Sequence, residues 1–108
     1  MARATTESLA FIFLDAAGTA LGLHHLPGTA AASIDVSLRA VAAAAMAHGS
    51  TRVIMAHNHP SGDPEPTPED LRTTRRVAAA LDALGIRLVD HLVLAADSSV
   101  SFRTRGLL

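Results

Sequence analysis

Short apolar blocks alternate with polar turns along this chain, and two blocks recur at helical period. Leu9 to Leu14 is an apolar run with two Phe and an Ile, the pattern of a buried strand. Asp15 to Gly18 makes a compact turn, and Thr19 to Leu26 is placed to return as the second arm of a hairpin. Pro27-Gly28 breaks the chain. From about Val36 the apolar positions Leu38, Val41, Ala42, Ala45 and Met46 follow the period of an amphipathic helix, with Ser33 or Asp35 placed to cap its start and Gly49 to end it. Val53 to His57 forms the next strand. A loop dense in Pro, Gly and Asp follows from Pro60 to Pro66. Thr67-Pro68-Glu69-Asp70 is then a strong helix start, with Thr at the N-cap, Pro at the first helical position and acids in the first turn. Leu71, Thr74, Ala78, Leu81 and Leu84 give that helix an inward stripe, closed by Gly85. Arg87 to Ala96 is a buried strand interrupted by Asp90-His91, and Ser99 to Arg103 a short edge strand. Strand hairpin, helix, strand, helix, strand predicts an α/β fold, a mixed sheet with helices packed on it.

Length and composition narrow the picture. With 108 residues the chain makes one domain, residues 1–108, with room for a single core. Charge is nearly balanced at −1, and every basic residue other than His is an Arg. That balance gives no basic footprint for nucleic acid, and aromatics at 3% argue against stacking platforms for single strands. The absence of cysteine excludes disulfides and thiolate ligands. The longest apolar run, Ala40 to Ala47, is too short for a bilayer, which needs about 20 residues, and the first residues carry no apolar signal segment. No membrane association and a cytoplasmic location are the expectations.

Candidate chemistry gathers at His57-Asn58-His59. Alternate side chains of an extended strand share a face, so an i, i+2 pair of imidazoles converges on one point. Asp70, at the start of the next helix, adds a carboxylate. Two His and one carboxylate leave one position of a tetrahedral zinc site open, the arrangement of a hydrolytic site, and this donor set favours Zn²⁺. Asp70 also has a second reading, as the acid of a capping box that gains from the helix dipole without any metal.

The spacing H-x-H-x(7)-[S/T]-x-x-D, from His57 and His59 through Thr67 to Asp70, resembles the JAMM signature of the JAB/MPN metalloprotease superfamily. The inner text from His57 to Pro64 (HNHPSGDP) is similar to its bacterial RadC branch. Glu7 to Asp15 (ESLAFIFLD), Gly28-Thr29, Gly85-Ile86, Asp90-His91 and the closing Ser101-Phe102 and Gly106-Leu107-Leu108 extend the likeness over nearly the whole chain. Where RadC proteins usually have Pro-Arg-Glu at the start of the first helix, this chain has Ser37-Leu38-Arg39, a departure that touches a contact there and leaves the metal motif intact. RadC proteins often carry a helical domain ahead of this one, so the chain resembles a stand-alone MPN unit with cytidine deaminase-like layering.

The resemblance implies roles. His57, His59 and Asp70 would hold zinc, and Glu7 would act as general base toward the attacking water. Thr67, where the superfamily carries Ser, would donate its hydroxyl to the developing oxyanion, or serve only as N-cap. Glu7 by itself reads as a solvated charge ahead of a strand. Asn58 and Ser61 shape the loop. Asp90 and His91 are polar residues in an apolar strand, expected to be hydrogen-bonded supports rather than ligands. His24 and His25 carry no positional signal, and the helix dipole explains His48. The expected function is a zinc-dependent hydrolase of metallopeptidase or isopeptidase type acting on a protein or peptide substrate. Two alternatives are a non-catalytic MPN interaction module associated with DNA repair, and direct nucleic-acid processing, which predicts a salt-dependent DNA affinity.

Overall fold

The computed structural model describes residues 8–27 and 34–108. Its elements are β1 (Ser8–Leu14), β2 (Ala20–Pro27), α1 (Ile34–Ala47), β3 (Arg52–Asn58), α2 (Pro68–Asp82), β4 (Arg87–Leu94) and β5 (Ser99–Ser101). One five-stranded sheet runs in the order β2-β1-β3-β4-β5. The β1–β2, β1–β3 and β4–β5 pairs are antiparallel and β3–β4 is parallel, so the sheet is mixed, as the order of elements predicts.

Alternation along the strands decides which face is covered. Leu9, Phe11 and Phe13 of β1 are buried while their neighbours are only half-buried. In register, Phe11 sits opposite Met55 and Phe13 opposite Val53, so one face of the sheet carries the large apolar side chains. Val41 and Ala45 of α1 and Val77 and Leu81 of α2 pack with them into a single cluster that includes Ile86 and Leu88. Fully burying a side chain of this size is worth about 1.5–3 kcal/mol, so this layer holds the domain together. Val93, Val100 and Phe102 make a smaller cluster with Leu71 beside it.

Helix α1 ends where glycine was expected to end it. Gly49 takes φ +65°, its N–H donates to the Met46 carbonyl, and the Ser50 N–H donates to the Ala45 carbonyl at 2.9 Å. Asp35 lies inside the helix rather than at its cap, and Ser33 falls outside the described residues.

Two expectations change. Helix α2 stops at Asp82, so Leu84 lies beyond it and is 44% exposed, and the buried stripe is Asp70, Thr74, Val77 and Leu81. Its first two members are polar because α2 starts over a polar site and only later crosses the apolar core. Strand β4 is continuous through Asp90-His91. The β3–β4 register shifts between Val53 and Ile54, with Val53 opposite Leu88 and Ile54 opposite Asp90, so Val89 is the extra residue. That slip puts His91 opposite Met55 and buries it.

Candidate metal centre

Strand β3 lies at the centre of the sheet, and the chain leaves its carboxyl end through the loop of residues 59–67 into α2. The crevice outside the carboxyl ends of parallel strands, facing a helix N-terminus, is where α/β sheets collect ligands. Here that crevice holds His57, His59 and Asp70, whose donor atoms all lie within 4.8 Å of one another. The two rings meet edge to face with centroids 4.8 Å apart. His59 and Asp70 are both 8% exposed.

Asp70 and His59 are held from behind by hydrogen bonds. Asp70 completes a capping box: its Oδ2 accepts from the Thr67 N–H at 2.9 Å, and its own N–H donates to Thr67 Oγ1 at 3.0 Å. Capping and ligation, separate readings in the sequence, fall on one carboxylate. Oδ2 also stands 3.0 Å from His59 Nε2, while Oδ1 stands 3.4 Å from His57 Nδ1. His59 Nδ1 donates to the Asp63 carbonyl at 2.8 Å, which fixes the tautomer. A neutral His59 therefore presents a bare Nε2 lone pair to a carboxylate oxygen. Two buried acceptors facing each other at 3.0 Å repel unless a cation lies at that point, either a proton or a metal ion. A ligand imidazole whose other nitrogen donates to a carbonyl is the usual support of a metal-binding His. The donor set thus fits a divalent cation.

Behind His57 lies His91, 1% exposed, whose ring stacks on Phe102 with centroids 4.5 Å apart and lies 5.9 Å from the His57 ring. Burial first, then the neighbouring His57, pushes its pKa down from 6.5 to about 4, so the ring is neutral. Nδ1 is 2.6 Å from Thr74 Oγ1. Asp90 knots the C-terminal turn: Oδ1 accepts from the His91 and Arg103 N–H groups at 2.7 and 3.0 Å, and Oδ2 from Ser101 Oγ at 2.6 Å. The Phe102 N–H in turn donates to the His91 carbonyl at 3.0 Å.

Other expected residues divide. Asn58 Oδ1 accepts from the backbone N–H and the hydroxyl of Ser8, which ties the start of β1 to the end of β3. Glu7 lies outside the described residues. Thr67 is exposed and its oxygen accepts, so its hydroxyl hydrogen is available to another acceptor. Ser61 Oγ lies 3.4 Å from the Asp63 N–H, within the loop that it was expected to shape. His48 rests against the backbone of Gly22, where a Cβ would meet its ring at 2.5 Å, and stacks on Phe13. From sequence, Thr74 belongs only to the inward stripe of α2 and Phe102 only to the family likeness, neither with a role at the site. Thr74 lies one helical turn beyond Asp70 and carries a visible spacing signal, whereas Phe102 meets His91 only through the fold.

A family model described as the RadC-like JAB domain matches residues 1–107. The chain belongs to that family. Among curated relatives, UPF0758 protein STH371 of Symbiobacterium thermophilum is 41% identical over 109 residues, covering 100% of this chain and 46% of that protein. UPF0758 protein XAC3915 of Xanthomonas axonopodis pv. citri is 38% identical over 102 residues, covering 94% of this chain and 45% of that protein. UPF0758 protein Smlt0399 of Stenotrophomonas maltophilia is 47% identical over 70 residues, which is 65% of this chain and 30% of that protein. This RadC-like JAB domain therefore spans about half the length of the first two relatives. Among the described residues, no helix is long and apolar enough to cross a membrane.

Proposed function

We propose that this domain is a metal-dependent hydrolase of metallopeptidase or isopeptidase type, with His57, His59 and Asp70 holding a divalent cation, Zn²⁺ by preference. The single observation that carries the reading is His59 Nε2 set 3.0 Å from Asp70 Oδ2 while the ring's other nitrogen donates to the Asp63 carbonyl, with His57 Nδ1 3.4 Å from the second carboxylate oxygen. When bound, such a cation acidifies water and polarises a carbonyl. The chain's own groups supply the rest. His59 and Asp70 are oriented by the Asp63 carbonyl and the Thr67 N–H, so the donor set is organised before a substrate arrives. Thr67 Oγ1, whose hydrogen is not committed to the helix, donates to the oxyanion of a protein or peptide carbonyl. Glu7 takes the proton of the attacking water, a role that rests on its match to the family's first strand.

Elemental analysis of purified protein never exposed to chelator, beside the His57→Ala/His59→Ala variant, tests the site. Near one equivalent of zinc in the wild type, lost in the variant, is the expected result. Loss of peptide or isopeptide hydrolysis in Glu7→Gln with zinc retained then assigns the base. Metal in neither protein overturns the enzyme reading in favour of a non-catalytic interaction module.

A further inference from the structure

Thr74 and His91 join the metal-ligand helix to the strand behind it. Thr74 Oγ1 lies 2.6 Å from the Asp70 carbonyl and 2.6 Å from His91 Nδ1. A hydroxyl has one hydrogen, and a carbonyl oxygen can only accept. The hydroxyl therefore donates to the Asp70 carbonyl, and His91 Nδ1–H donates to the hydroxyl. Both residues are 1% exposed, so neither bond competes with bulk water. The i to i−4 bond alone is ordinary for a helical Thr. A donor from a different element into the same oxygen is not, since it couples β4 to the turn of α2 that bears Asp70.

Geometry on the other side of the ring completes the link. The His91 ring lies 5.9 Å from that of His57 at an interplanar angle of 31°, and its stacking on Phe102 at 4.5 Å limits its own freedom. His91 Nε2 is buried without a hydrogen-bond partner among the described residues. An acceptor left this way costs about 1–3 kcal/mol, a cost that core packing would avoid with Leu or Phe.

We propose that His91, acting through Thr74, is a positioning residue of the metal centre, setting the distance between the Asp70 carboxylate and the His57 ring. The proposal rests on the metal reading above and deepens it. Neither residue touches the cation. Their effect is on how well Asp70 and His57 converge.

Zn²⁺ competition against a chromophoric chelator and the visible spectrum of the Co²⁺-loaded chain test this on the 108-residue chain. Thr74→Val keeps shape and removes the shared oxygen, and His91→Phe keeps the ring and removes the donor. Each is expected to weaken Zn²⁺ binding roughly 10-fold, as removal of a ligand's support does, and to alter the Co²⁺ bands. The double variant should be no worse than either single one. Thr74→Ser and His91→Asn, which restore the hydroxyl and a donor near the Nδ1 position, should recover most of the affinity. Folded variants with wild-type affinity and unaltered Co²⁺ bands overturn the proposal, as do losses that multiply in the double variant. If His91→Phe does not fold, the Thr74→Val and Thr74→Ser pair decides. A wild-type chain that binds neither metal overturns this proposal together with the metal reading, whereas wild-type binding indifferent to these substitutions overturns this proposal alone.

Discussion

The two helices cover the same sheet face and bury different chemistry. Helix α1 (IDVSLRAVAAAAMA) offers the core Val41 and Ala45, with Leu38 and Ala44 partly buried against it. Helix α2 buries Asp70 and Thr74 in its first turns and Val77 and Leu81 after them. Among the described side chains, those that α1 buries are apolar, whereas α2 is half packing and half site. Burial of a carboxylate and a hydroxyl is unfavourable unless each is satisfied. On α2 both are: the carboxylate by the Thr67 N–H of the capping box, and the hydroxyl by the Asp70 carbonyl and His91. Polar burial confined to the helix start that faces the end of β3 is thus the mark of the site, more than any single residue in it.

Substitutions on the two helices should separate these roles. The largest effect is expected from Asp70→Asn. Its amide oxygen, at the Oδ2 position, still accepts from the Thr67 N–H, and its NH2, at the Oδ1 position, faces His57 Nδ1, so the metal-free fold keeps its stability while measurable Zn²⁺ binding is lost. Paired chemical denaturation and metal titration check this, and a metal-free protein that unfolds would make Asp70 a structural residue first. Next comes Val41→Ala on α1, which should cost about 2 kcal/mol of stability through a cavity and leave Zn²⁺ affinity unchanged. A loss of affinity there would join α1 to the site and break the comparison. Thr67→Ala removes the N-cap and should cost about 1 kcal/mol, with Thr67→Ser restoring it. A hydrolysis rate that falls further than this stability loss explains would sharpen the oxyanion role. Leu84→Ser, beyond the end of α2, should stay within about 0.5 kcal/mol of the parent in thermal unfolding.

Much of this was legible before the fold. Thr67, Pro68 and the acids after them announce the start of α2 through bonds that reach three residues, so Asp70 at N3 is a local consequence of sequence. Apolar period places β1, β3 and α1, because burial of alternate or every third-to-fourth side chain is what those elements are for. The α2 stripe was less legible. Leu84 has the right spacing for burial, yet the helix ends at Asp82 and Gly85 turns the chain at φ +74°, so the spacing no longer points inward.

By itself, then, the sequence determined the order of elements, the mixed α/β architecture and the His57, His59 and Asp70 spacing, since each depends on interactions within a turn or a strand. Only the tertiary structure decided the rest. It brought the Asp63 carbonyl to His59 Nδ1 and so turned Nε2 toward Asp70. It slipped β4 past β3 so that His91 faces Thr74, 17 residues away, and it laid Phe102 on that ring. Local propensity cannot specify which lone pair meets which proton across two elements, because that choice is made by register and packing, where a one-residue slip moves a side chain to the other face.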